Sequence, residues 1–116
     1  MHYPTALRAG IYRQEANPGN WIHSLEHGYV VALVMCNADC AAIFSQLDTI
    51  YATRLRGSTF GNVKFIATPY SQPFTNGEAQ VALVAWGNEL RLPTFDADTI
   101  VRFYESFVDQ GPEAVP

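Results

Sequence analysis

Two of the three histidines in this sequence lie in one short run, His23-Ser24-Leu25-Glu26-His27-Gly28. Residues three and four apart share one face of a helix, so His23, Glu26 and His27 project together. Two imidazoles one helical turn apart can chelate a transition metal, with the Glu26 carboxylate as a third ligand or as an acceptor for a ligating imidazole. The alternative is the solvated face of an amphipathic helix whose two histidines are spaced by chance. The third histidine, His2, could fold back to join either this run or the cysteines described next.

The spacing of the run also matches H-x-x-E-H, the signature of inverted zinc peptidases, in which the glutamate acts as the general base. Such enzymes need a distant third ligand and a substrate cleft. A chain of 116 residues can hardly build both. The run therefore favours metal binding over metal-assisted hydrolysis.

The two cysteines of the chain form a C-x3-C pair, Cys36-Asn37-Ala38-Asp39-Cys40. A thiolate at a helix N-terminus is stabilised by the helix dipole and by free backbone N–H groups. The pair could form a disulfide, exchange thiols or bind a soft metal such as Cu(I); the alternative is two unpaired packing residues. The spacing differs from the C-x-x-C of thioredoxin-like redox enzymes, which weakens the case for thiol exchange. A nucleophilic cysteine activated by His27 would require the two clusters to be adjacent in space.

Hydrophobic spacing and turn residues predict the elements that position both clusters. Asn20 would cap a helix that Gly28 ends, and a valine-rich run would form a central strand buried on both faces. A second helix would follow, capped by Asn37 or Asp39. The predicted ranges are 21–27 for the first helix, 29–35 for the strand and a cap at 37 or 39 to about 54 for the second helix.

The rest of the chain predicts a short strand within 7–12, a strand at 63–68, a long loop and a β-hairpin over 80–92 that turns at Gly87-Asn88. A last helix would start at Thr94 or Asp96 and stop at Gly111-Pro112. This order predicts a single α+β domain over residues 1–116, with a mixed β-sheet and about three packed helices. Residues 1–6 and 112–116 are expected to be flexible. The order is compatible with a thioredoxin-like layout whose middle helix is reduced to a loop.

Composition narrows the partners that the chain can have. The formal net charge is −4 and Lys64 is the single lysine. With no basic cluster, neither nucleic acid nor an anionic membrane surface is an expected partner. No run of about 18 apolar residues is present to span a bilayer, and no signal peptide is visible. The low charge and the many aromatic residues suggest a homo-oligomer or a protein partner.

Several runs of the sequence resemble the bacterial DUF3105 domains. They are His2-Tyr3-Pro4, Gly10-Ile11-Tyr12, the run at 23–28 with Val30-Val31 after it, Ala85-Trp86-Gly87, Leu90-Arg91-Leu92 and Phe95-Asp96. The resemblance spans nearly the whole chain, and it implies that His2, His23, Glu26 and His27 belong to one motif set. Members of this family are often membrane-anchored or exported, which implies an extracytoplasmic or membrane-anchored location. The family brings no established activity.

The C-x3-C after a predicted strand also resembles, over a few residues, the copper-binding motif of Sco-type thioredoxin-fold proteins. That resemblance implies that Cys36 and Cys40 hold copper together with a histidine from the other cluster.

The leading hypothesis is a small metal-binding domain that carries, delivers or senses copper, or secondly zinc, rather than catalysing a reaction. Imidazole and thiolate ligands favour these metals over magnesium and calcium. The predicted ligands, in order, are His23 and His27, then His2 and Glu26, then Cys36 and Cys40. The alternatives are a thiol–disulfide oxidoreductase that uses Cys36 and Cys40, and an interaction module without metal.

Overall fold

The computed structural model describes residues 5–36, 40–71 and 79–116. These residues form a mixed five-stranded sheet with three helices packed on it, which confirms the predicted α+β architecture. The elements are β1 Gly10–Ile11, α1 Pro18–Glu26, β2 Val30–Val34, α2 Cys40–Thr53, β3 Phe65–Pro69, β4 Val81–Ala85, β5 Asn88–Leu92 and α3 Ala97–Phe107. His2 and the predicted caps Asn37 and Asp39 lie outside the described residues.

The strands are arranged in the order β1-β3-β2-β4-β5. β2 runs parallel to β3 and antiparallel to β4. Parallel neighbours need a crossover connection, and α2 provides it between β2 and β3. The hairpin of β4 and β5 then extends the sheet in the antiparallel sense. β2 is therefore the central strand of the sheet.

β2 is buried on both faces, as its run of valines predicts, and none of its residues is more than 4% exposed. Val30, Ala32 and Val34 join the core formed with α2 and α3. Val31 and Leu33 point to the other face and pack in the core formed with α1. Alternation of side chains along a strand explains this division. The sheet is thus a middle layer between α1 on one side and α2 with α3 on the other.

Several predicted boundaries differ from the structure by a few residues. α1 begins at Pro18 and is capped by Asn17, whose Oδ1 accepts a hydrogen bond from the Gly19 N–H at 2.8 Å. Proline suits the first helical turn, where the backbone N–H that it lacks would have no partner in the helix. Asn20, the predicted cap, lies inside α1, and its side-chain amide donates to the Thr5 carbonyl. The hairpin turn precedes Asn88, which already pairs with Ala85 in the sheet.

The C-terminal segment, residues 109–115, is held against the end of α1. α3 ends at Phe107, four residues before the glycine that was predicted to stop it. The Asp109 N–H then donates to the Gly28 carbonyl, and the Glu113 N–H donates to the Glu26 carbonyl, both at 2.9 Å. Glu113, in the tail that the sequence analysis expects to be flexible, therefore makes a backbone hydrogen bond to the last residue of α1.

Lys64 lies just before β3 and is the buried centre of this arrangement, with its side chain only 1% exposed. Its ammonium group donates to the His27 carbonyl at 2.7 Å and to the Val115 carbonyl at 2.6 Å. It also forms an ion pair with the Asp109 carboxylate at 2.9 Å. A buried charge is tolerated only when it is paired and hydrogen-bonded, and these three oxygens provide that environment.

Asp109 makes the stability of this arrangement dependent on pH. Burial raises the pKa of Asp109, but the N–H of Thr59, the Lys64 ammonium and the Thr59 hydroxyl together lower it below the usual value of 3.8. The ionised carboxylate therefore stabilises the fold above about pH 4, and that contribution is lost as the pH falls through the folded-state pKa. We expect Asp109→Asn to lower the free energy of unfolding at neutral pH, by a margin that shrinks below about pH 4.

Urea unfolding of the wild type and of Asp109→Asn, from neutral pH down to pH 2, measures this difference in the free energy of unfolding. Asp48→Asn is a matched control, because Asp48 is half exposed in its ion pair with Arg13 and such pairs contribute about 0–1 kcal/mol. A margin for Asp109→Asn that stays constant down to pH 2 would contradict the assignment.

Candidate metal centre

His23 and His27 meet at the C-terminal end of α1. His27 is the C-cap residue, with φ −85° and ψ 5°, and its ring lies 4.9 Å from the ring of His23, nearly perpendicular to it. Gly28 ends the helix with φ 87°, a conformation that favours glycine. The predicted pairing of the two histidines on one helix face is therefore present in the structure.

The rest of α1 fixes the direction in which these imidazoles point. Trp21 and Leu25 are buried in the core beneath the helix. Ser24 is fully buried, and its hydroxyl donates to the Leu7 carbonyl and accepts from the Leu7 N–H, at 2.7 and 2.8 Å. The buried side chains hold α1 against the sheet, and the Ser24 hydroxyl joins it to the segment before β1. The side chain of His27 is only 19% exposed, which differs from a histidine on a solvated helix face.

Glu113 of the C-terminal segment is the third group at this place. Its Oε1 lies 3.2 Å from Nε2 of His27, and one donor atom from each of His23, His27 and Glu113 lies within 4.8 Å of the others. In a tetrahedral zinc site with bonds of 2.0–2.1 Å the donor atoms are about 3.4 Å apart. Small side-chain rotations would therefore bring these three donors, here named the His/Glu cluster, to ligand spacing.

The His/Glu cluster differs from the set that the sequence predicts. Among the described residues, the side chain of Glu26 is not a member of the cluster; its backbone carbonyl instead accepts the Glu113 N–H. Sequence reasoning missed Glu113 altogether. It follows Gly111-Pro112, and no local spacing rule connects it to a helix near the other end of the chain. The one available signal was an acidic residue just after Gly111-Pro112.

Cys36 and Cys40 form a disulfide, with their Cα atoms 5.2 Å apart. Cys36 follows the end of β2 and Cys40 is the first residue of α2. Of the alternatives that the sequence leaves open, the structure therefore has the bonded pair. As a disulfide, neither sulfur is the thiolate that a metal requires as a ligand.

The disulfide and the His/Glu cluster lie at opposite ends of β2. His27 precedes this strand and Cys36 follows it, and five strand residues span about 17 Å. His23 and His27 therefore do not share a site with the cysteines, and the nucleophilic pair of His27 with Cys36 or Cys40 is not formed. The structure has two separate chemical sites.

A pocket of about 490 Å³ lies beside the disulfide. Apolar residues from three elements line it together with the two cysteines, namely Val34, Ala41, Phe44 and Pro69. Arg13 and Glu15 are charged residues that also line this pocket. Arg13 forms an ion pair with Asp48 at 2.6 Å. The pocket is thus at the cysteine end of β2 and not at the histidines.

The fold and the two clusters define a class of layered mixed-sheet domain. It has a His/Glu cluster at one end of its central strand and a disulfide at the other. The family DUF3105, described as a protein of unknown function, matches residues 1–115. The chain belongs to this family. No curated protein and no solved structure matches the chain. Within the described residues, no helix is both long and apolar enough to cross a membrane.

The disulfide should stabilise the fold by restricting the conformations that the unfolded chain can adopt. For a loop this short, the chain-entropy estimate is about 2 kcal/mol. We expect the double variant Cys36→Ser/Cys40→Ser to unfold at lower urea concentration than the oxidised protein, by a free energy of this order. Reducing the wild type before unfolding should give nearly the same loss. If reduction leaves the midpoint where it was, the cross-link does not stabilise this fold.

Proposed function

We propose that this domain binds a divalent transition metal, copper first and zinc second, through His23, His27 and Glu113. The observation that supports this most is the position of the Glu113 carboxylate, 3.2 Å from Nε2 of His27 and in one cluster with His23. Three donors from two distant parts of the chain then surround one point. A solvated helix face with histidines spaced by chance would not need this convergence.

The donor set favours particular metals. Imidazole nitrogen suits zinc and copper, and affinity in such sites rises to a maximum at Cu²⁺ in the first transition row. The sulfurs are held in the disulfide, so the proposal is for a divalent ion bound by nitrogen and oxygen rather than for Cu(I) bound by thiolates. Copper therefore remains the first choice and zinc the second.

Metal carriage or sensing fits the cluster better than hydrolysis does. Glu113 supplies the distant third ligand that an H-x-x-E-H enzyme needs, but the side chain of Glu26, the expected general base, is not in the cluster. The pocket of about 490 Å³ is at the other end of β2. Glu113 is half exposed, which leaves a side from which an ion can enter and leave.

The proposal predicts about one equivalent of bound copper or zinc in protein purified without chelator and then loaded. Glu113→Gln and His27→Ala should each weaken binding by more than the 10–100-fold that loss of an outer-shell partner typically costs. Elemental analysis gives the stoichiometry, and competition with a chromophoric chelator gives the affinity.

Glu26→Gln is the matched control, because it makes the same chemical change one residue before His27 without altering the backbone carbonyl that Glu113 uses. Its affinity should equal that of the wild type. If Glu26→Gln weakens binding and Glu113→Gln does not, the ligand set of the sequence prediction is right and the present one is wrong. If no variant differs from the wild type, the histidines do not form the site.

A second candidate function, thiol–disulfide exchange, is favoured by the position of the cysteines. The disulfide bridges the end of the central strand and the first residue of α2, beside an apolar pocket. In such exchange, a dithiol substrate attacks one sulfur to form a mixed disulfide, and the second substrate thiol then resolves it. The substrate leaves as a disulfide, while Cys36 and Cys40 gain its two electrons and two protons as thiols. This placement after a central strand is also what the thioredoxin-like layout suggested by the sequence would have.

The reduction potential separates an exchanging disulfide from a structural one. Structural disulfides have potentials below about −300 mV, whereas catalytic ones lie between about −270 and −120 mV. Equilibration in glutathione buffers, followed by thiol trapping and mass measurement, gives the value. A potential above about −270 mV supports exchange. Resistance to reduction throughout the glutathione range would assign the disulfide a structural role only.

A further inference from the structure

We propose that docking of the C-terminal segment and metal binding at the His/Glu cluster are coupled. The inference rests on the proposed function. It adds that residues 109–115, which carry the third ligand, can undock from the end of α1. Bound metal then favours the docked segment, and the docked segment strengthens metal binding.

Three hydrogen bonds of its own backbone attach the segment, one before Glu113, one at Glu113 and one after it. Asp109 and Glu113 donate their N–H groups to the last carbonyls of the α1 region, and the Val115 carbonyl accepts from Lys64. Each of these contacts is made by the segment's backbone, and one end of each belongs to α1, to Gly28 or to Lys64. Loss of docking would therefore remove Glu113 from the cluster while leaving both histidines on α1.

Close backbone packing makes this docking sensitive to a single methyl group. A Cβ on Gly111 would collide with the carbonyl oxygens of Glu26 and Leu25 and would lie 2.6 Å from the Gly28 nitrogen. These atoms are helix-end backbone and cannot move aside cheaply. Gly111→Ala should therefore displace the segment without touching a ligand.

Lys64 connects the two halves of the cluster without being a ligand. Its ammonium binds the carbonyl of His27, which carries one imidazole ligand, and the carbonyl of Val115, two residues after Glu113. The same ammonium pairs with Asp109 at the start of the segment. This geometry sets the backbone of His27 and of the Glu113 segment relative to one buried atom.

Docking and metal binding are coupled because the three donors come together only when the segment is docked. If docking raises metal affinity by some factor, then bound metal must raise the docking equilibrium by the same factor. The coupling is therefore measurable from either side, by metal affinity or by protection of the segment's backbone amides.

The experiment is a double-mutant cycle of Gly111→Ala and Glu113→Gln on the full chain, with zinc and copper affinity as the readout. Glu113→Gln should weaken affinity by more than about 10–100-fold and Gly111→Ala by about 10-fold or more, and the double variant should be no weaker than Glu113→Gln alone. Gly87→Ala is the control for backbone strain elsewhere in the fold: its φ of 81° strains an alanine in the hairpin turn, but the Cβ meets nothing within 4 Å, and the variant should bind as the wild type does.

A second measurement needs no variant. Amide exchange of the wild type, with and without zinc, should show slower exchange at Asp109 and Glu113 when zinc is present, by a factor comparable with the affinity lost in Gly111→Ala.

The outcomes separate this inference from the proposed function. Unchanged affinity in Glu113→Gln, or no metal bound by the wild type, overturns both. Weakened binding in Glu113→Gln together with unchanged binding in Gly111→Ala overturns the coupling alone. Additive losses in the double variant, or amide exchange that is indifferent to zinc, overturn it as well.

Discussion

One buried ammonium group determines how the C-terminal segment meets the end of α1. Lys64 is 1% exposed, and an unpaired charge in such a place would cost several kcal/mol. Its partners are the His27 carbonyl, the Val115 carbonyl and the Asp109 carboxylate, and all three are in place when the C-terminal segment is docked. These oxygens come from the end of α1 and from the C-terminal segment. Removing the Asp109 carboxylate would leave the ammonium without its counter-ion, which typically costs about 3–5 kcal/mol for a buried pair.

The central strand gives the fold its second constraint, because it separates two kinds of chemistry. β2 has helices on both faces and strands on both edges, so its side chains are committed to the cores. Only the residues at its two ends can carry polar or reactive groups. His27 precedes the strand and Cys36 follows it, so nitrogen donors collect at one end and sulfur at the other. A mixed imidazole–thiolate site from His23, His27 and the cysteines is excluded by this geometry rather than by ligand preference.

Much of the frame follows from local pattern. The valine-rich run predicts β2, and the helical spacing of 23, 26 and 27 brings the two histidines together, because both depend on residues near one another in sequence. The start of α1 was wrong because Asn17 and Asn20 both suit a cap, and only Pro18 distinguishes them. Glu113 and the role of Lys64 lay beyond prediction. Both depend on backbone hydrogen bonds between residues far apart in the chain, which hydrophobic periodicity does not encode. A single lysine next to an apolar strand was the one indication of a buried charge.

His27 shows why the cluster is more than a helix surface. Its backbone carbonyl is bound by the buried ammonium and its imidazole faces Glu113, so the main chain and side chain of one residue are fixed by two independent contacts. Gly28 and Gly111 permit the close backbone approach that brings those contacts together. A histidine that served only solubility would need none of these arrangements. Gly28 is thus as much a part of the His/Glu cluster's construction as the histidines are, because a Cβ there would collide with the Asp109 backbone of the segment that carries Glu113.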